Sequence, residues 1–177
     1  AYARMGLERW GAKLTRAICG AGARLLRANS AEPLSPRHLT GVLCAVARLA
    51  SRSCLGRRRA PVREPAIASF AATAGRSLAE RARECSPRDL ANGAWALLTL
   101  GAVDRAAMEA LALAAAARLC DFNAQETSKL LYAMERASIR CAELAAAASA
   151  TRELKLDLGV VGGPLVLRHV LGGGRAE

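Results

Sequence analysis

Residues 86–101 read SPRDLANGAWALLTLG, and this stretch decides the fold. It opens on Ser86, Pro87 and an acidic residue, Asp89, and it closes on Gly101. A serine before the first turn accepts orphan amide hydrogens, and a proline at the first helical position gives up an amide hydrogen that has no partner anyway. Taken alone, the stretch predicts one short, well-capped helix. It has two echoes, LSPRHLTGVLCAVARLA from Leu34 and FNAQETSKLLYAMERAS from Phe122. Aligned on the residue after the cap, Pro36, Pro87 and Ala124 correspond. The second spacing is 124 − 87 = 37 residues, and the first is 87 − 36 = 51, or 37 plus the 14 residues of the insert SRSCLGRRRAPVRE at 51–64. A fixed period of this size marks a chain built from repeated units.

Within each copy the same offsets from the anchor repeat their chemistry. Offset 9 is alanine three times, Ala45, Ala96 and Ala133, and offsets 6 and 7 hold Val42 and Leu43, Gly93 and Ala94, Leu130 and Leu131. At about 100° per residue, offsets 3, 6, 7, 9, 10 and 13 share one arc, which predicts the buried face. Offsets 1, 5 and 12 share another. They carry Arg37, Gly41 and Arg48, then Arg88, Asn92 and Thr99, then Gln125, Lys129 and Arg136, a polar and mostly basic stripe. Second amphipathic segments start at Leu7, Pro65, Arg105 and Cys141, and residues 2–6 read as the end of a preceding motif helix. The expected fold is therefore all-α: a short right-handed α-solenoid of about three to four helical hairpins, each burying its apolar face against its neighbours. The expected repeat domain covers residues 1–153, with motif helices near 35–50, 86–101 and 123–137 and the Arg-rich insert at 51–64. Residues 154–177 form a tail, in which Pro164 starts a short helix stopping at Gly172.

Composition agrees with stacked helices. Of 177 residues 53% are apolar and only 3% aromatic, and abundant alanine favours helices that approach closely. The longest apolar runs, such as ALALAAAA at 110–117, are too short to span a bilayer, so no membrane insertion is expected. Charge is uneven. Residues 1–60 hold 12 basic and 2 acidic residues (+10), and residues 61–177 hold 14 and 13 (+1), so the net +11 sits almost wholly in the first third. Such asymmetry points to a polyanionic partner, most often nucleic acid. The chain begins at alanine, as a processed or partial product would, and its Arg-rich start has the composition of a transit sequence, although the repeat frame asks for a helix there.

Six cysteines, Cys19, Cys44, Cys54, Cys85, Cys120 and Cys141, are scattered without a CxxC pair, and the histidines are His38 and His169 alone. This is neither a zinc signature nor a disulfide framework; buried free thiols in a reducing compartment are expected. His38 aligns with Asp89 and Glu126 near the helix starts and reads as a surface residue. No Ser-His-Asp or Cys-His arrangement, paired carboxylate or metal spacing stands out, so the expectation is a protein without catalytic residues, small-molecule substrate, cofactor or metal.

The string at 86–101 resembles the signature of octotricopeptide-type repeats, whose consensus has a Pro-Gln-Glu-Leu-Ala-Asn start, a Trp-Ala-Leu core and a terminal Leu-Gly. Related repeats occur beside RAP domains in apicomplexan, dinoflagellate and green-algal organellar proteins. The resemblance covers residues 34–152 but is close only over 86–101: Cys44 and Tyr132 stand in place of Trp95, and Gly41 and Lys129 in place of Asn92. It implies action on organellar RNA, in transcript stability, processing or translation, or as an added subunit of a divergent mitochondrial ribosome. Three degenerate repeats read at most a few bases, too few for a sequence-specific factor working alone. The implied function is a non-catalytic rRNA-binding subunit of an organellar ribosome, in the mitochondrial matrix before the chloroplast stroma, with rRNA and neighbouring ribosomal proteins as partners. The alternatives are a stand-alone RNA stability or processing factor and a protein-only scaffold of a respiratory or other membrane complex. The candidate RNA contacts are Arg52, Arg57, Arg58, Arg59 and Arg63 of the insert, whose guanidinium forks match phosphates, and Arg37, Arg48, Arg88, Asn92, Lys129 and Arg136 of the stripe. Trp95 and Tyr132, at offset 8, could stack on bases, but are expected to fill the seam between hairpins.

Overall fold

The computed structural model describes residues 13, 15–24, 26, 34–53 and 64–157, and among them the only regular structure is helical. Helix α1 covers residues 15–24. It is followed by α2 (Pro36–Ser53), α3 (Pro65–Glu80), α4 (Pro87–Leu100), α5 (Arg105–Ala116), α6 (Ala124–Arg136) and α7 (Ala142–Asp157), with one-turn 3₁₀ segments at Ala82–Glu84 and Leu119–Asp121. The motif helices pack in series, α4 against both α2 and α6, and the second helices do likewise, α5 against both α3 and α7. No described helix is long and apolar enough to cross a membrane.

Local geometry repeats at the 37-residue spacing. Ser86 caps α4 in a reciprocal box with Asp89, and Asn123 caps α6 in the same way with Glu126. Past the helix ends, Gly101 and Ser138 both turn left-handed, at φ 68° and 57°. In each case the next amide reaches back five residues, Ala102 N to Leu97 O at 3.0 Å and Ile139 N to Met134 O at 2.9 Å, closing the last turn. A third device is Arg81, whose guanidinium grips Glu84 and donates to the Leu34 carbonyl at 2.8 Å, tying the end of the α2–α3 pair to its beginning. Arg118, 37 residues later, pairs with Asp121 and donates to the Cys85 carbonyl at 3.3 Å, doing the same for α4–α5.

Packing of small residues brings the helices close. Leu78 of α3 lies 3.2 Å from where a Cβ on Gly93 would stand, and a Cβ on Gly22 of α1 would come within 2.8 Å of the buried Phe70 ring. The core is built from Leu39, Leu43, Leu90, Leu97, Leu130 and Leu131 of the motif helices against Phe70, Leu78, Met108 and Leu111 of the second helices. Each such side chain contributes about 1.5–3 kcal/mol by leaving water.

The expected boundaries and faces need correction in places. α2 runs through Ser53, past the expected end near residue 50, and in its last turns the Ser51 hydroxyl donates to the Ala47 carbonyl at 2.8 Å. α7 continues to Asp157, four residues beyond the expected domain end at 153, through strong helix formers such as Glu153, Leu154 and Lys155. Ala45 and Leu49, expected on the buried face, are exposed, Leu49 by 45%, whereas their equivalents Ala96 and Leu100 are 0% and 2% exposed. The flank carrying offsets 9 and 13 is covered in α4 and α6 by the preceding motif helix, and among the described residues α2 has none. Offset 4, outside the expected arc, is buried in Thr40 and Ala91. Cys19, Cys44 and Cys85 are buried free thiols, but Cys120 is exposed. Residues 2–6, Cys54, His169 and the tail helix from Pro164 lie outside the described residues.

Candidate nucleic-acid interface

The stripe is built by the caps as much as by the helices. Pro36, Pro87 and Ala124 start their helices one residue after the cap, so offsets 1, 5 and 12 keep one angular position from copy to copy. Two acidic residues beside the stripe, Asp89 and Glu126, are engaged by the caps. Asp89 accepts from the Ser86 hydroxyl at 2.6 Å and the Ser86 amide at 3.3 Å, and Glu126 accepts from the Asn123 amide at 3.1 Å. In the first copy the equivalent residue is His38, exposed, with its Nδ1 2.9 Å from the Ser35 hydroxyl. The cap there carries no carboxylate at all.

What remains on the stripe is cationic. Arg37, Arg48, Arg88 and Arg136 are exposed and form no ion pair among the described residues. The four ion pairs lie elsewhere, Arg16 with Glu64, Arg81 with Glu84, Arg105 with Glu109 and Arg118 with Asp121, all at the second helices and the turns beside them. Arg24, Arg76, Arg83 and Arg140 also form no ion pair among the described residues, so a free guanidinium is not peculiar to the stripe; its recurrence at matching offsets of three motif helices is.

Two contacts knit the stripe across the seams. Lys129 Nζ donates to Asn92 Oδ1 at 2.7 Å, joining the offset 5 residues of α6 and α4, and both residues are half-buried. The Cys44 thiol of α2 donates to the Asn92 carbonyl at 3.6 Å. Burial pushes the Cys44 ionisation up, while the fields of Arg48, Lys129 and Arg88 pull it down and Asp89 adds to the rise. Cations from α2, α4 and α6 thus all act on this one thiol. Of the offset 8 residues, Cys44 is buried, Trp95 is half-buried against the core, and Tyr132 is half-buried. Thr99 turns its hydroxyl onto the Trp95 carbonyl of its own helix at 2.8 Å.

No family model, curated protein or solved structure matches this chain. Its chemistry has to be read from its own residues. The structure joins Asn92 and Lys129, sets Arg48 and Arg88 where their fields reach the Cys44 thiol beside them, and carries Arg37 and Arg136 on the same helices. Of the insert, Arg52 falls on the last turn of the α2 backbone, and Arg57, Arg58, Arg59 and Arg63 lie outside the described residues. Sequence reasoning missed the clasps of Arg81 and Arg118, although Arg-x-x-acid at 81–84 and again at 118–121 was a signal of the right period. Among the described residues no three His, Cys, Asp or Glu side chains gather as a metal site would need.

Proposed function

We propose that this chain is a non-catalytic, RNA-binding structural subunit of an organellar ribosome, docking on rRNA beside neighbouring ribosomal proteins. The observation that carries this is the stripe: cations on the three motif helices α2, α4 and α6 that form no ion pair among the described residues, with Asp89 and Glu126 beside them held in helix caps. A continuous positive surface of this kind neutralises phosphates, and guanidinium forks fit them. The 37-residue recurrence of caps, left-handed ends and arginine clasps supports a short right-handed α-solenoid, in which the stripe runs along one face. Four of the insert's five arginines, Arg52, Arg57, Arg58 and Arg59, belong to the first 60 residues, where the net charge is concentrated, and Arg63 follows just beyond. The organellar placement, mitochondrial matrix before chloroplast stroma, follows from the resemblance of residues 86–101 to the organellar repeat.

Sedimentation of the tagged protein with and without ribonuclease tests this reading. Co-migration with a large ribonucleoprotein that collapses on RNA digestion is the expected result. Migration as a free protein, or with a membrane complex insensitive to ribonuclease, would overturn it.

A further inference from the structure

Side chains that read bases must offer free donors and acceptors or an open aromatic face. On this stripe most groups of that kind are already engaged. The side-chain Oδ1 of Asn92 accepts from Lys129 at 2.7 Å, which takes one of its two lone pairs and holds the half-buried amide in the seam, turned to its neighbour and not free to swing onto a base. The Thr99 hydroxyl is turned onto its own helix, Gly41 has no side chain, and the Cys44 thiol is buried on the Asn92 carbonyl. Trp95 is packed against the core with only part of its ring in solvent. Gln125 alone offers an exposed amide. Against these stand four exposed guanidinium groups, Arg37, Arg48, Arg88 and Arg136, and the ammonium of Lys129, which keeps two protons beyond the one given to Asn92.

We infer that the stripe grips RNA by its phosphates and without regard to base sequence. Asn92 acts as a positioning residue that fixes Lys129 in the seam between α4 and α6, and it does not read a base. The inference rests on the RNA reading above and gives it a substrate class: the sugar-phosphate backbone. Phosphate contacts set position and affinity but carry no sequence information, which suits a protein placed by its neighbours and not by a recognition motif.

The test is fluorescence anisotropy of the full chain with short single-stranded oligomers of A, of U and of alternating G and U across a salt series, guanine being the base a free guanidinium would read. Affinities within about threefold of one another are expected, since phosphates are common to all three. The plot of log affinity against log salt should fall with a slope of at least about −3.5, at about −0.7 for each of the five stripe cations. Arg88→Ala and Arg136→Ala should each weaken all three complexes alike and flatten the slope by about 0.7. Asn92→Ala should weaken all three alike, leaving their ratios unchanged. A preference above about tenfold for any one oligomer would overturn the inference while leaving the RNA reading standing. Absence of binding to all three at low salt would overturn the RNA reading itself.

Discussion

Ala45 and Ala96 occupy the same place in their helices, and only one of them is buried. The same contrast recurs along α2 and α4: Leu49 against Leu100 near the helix ends, and Leu34 at 37% exposure against Cys85 at 0% before the caps. Residues of near-equal apolarity at equal offsets differ because their neighbours differ. A motif helix has two flanks, one for the helix before it and one for the helix after it. In α2 the flank toward α4 is closed by Leu43, Cys44 and Ala47, while the other holds the exposed Ala45. Periodicity fixes the phase of a helix but does not say which of its flanks is covered.

The largest effect that would break this comparison is a charge on the flank. Ala96→Arg should cost more than about 3 kcal/mol, since it forces an unpaired cation into a site with no access to water, whereas Ala45→Arg should stay within about 0.5 kcal/mol. Urea unfolding of the two variants measures both, and equal losses would show the two flanks to be equally covered. Next is alkali. Burial pushes the thiols of Cys19 and Cys85 from 9.0 up to about 11, so in the unfolded chain they ionise first. Their contribution is complete below pH 9 and is lost as pH rises toward about 11, amounting to about 2 kcal/mol for each thiol. Cys85→Ala should flatten its share of that decline in a pH series of unfolding midpoints. A smaller difference lies in the caps. Ser86→Ala should cost about 1 kcal/mol by opening the box with Asp89, and His38→Asp should gain about 0.5 kcal/mol by completing one at Ser35. Smallest is the buried Thr40 hydroxyl, which has no hydrogen-bond partner where α4 carries Ala91. Thr40→Val should leave stability unchanged or raise it by up to about 1 kcal/mol, read as a shift in thermal midpoint.

The helices, their caps and the 37-residue period were legible because each depends on residues close together in sequence. Ser86, Pro87 and Asp89 announce a helix start without knowledge of anything else in the chain. The clasps were not read, because the acceptor of Arg81 is a backbone carbonyl 47 residues away, and carbonyls leave no trace in side-chain pattern. The interface was legible as a stripe and not as a network. Asn92 and Lys129 stood at the same offset in the sequence, yet their hydrogen bond depends on the distance between α4 and α6, which no spacing along the chain contains.

The Arg81 clasp also bears on how the chain can be altered. It joins the end of the first helix pair to the residue before its cap, so the halves on either side of residues 54–63 are held by side chain and core and not by the connecting backbone alone. Opening the clasp with Arg81→Ala should therefore loosen the start of α2 from the end of α3 while the core between the two helices stays packed.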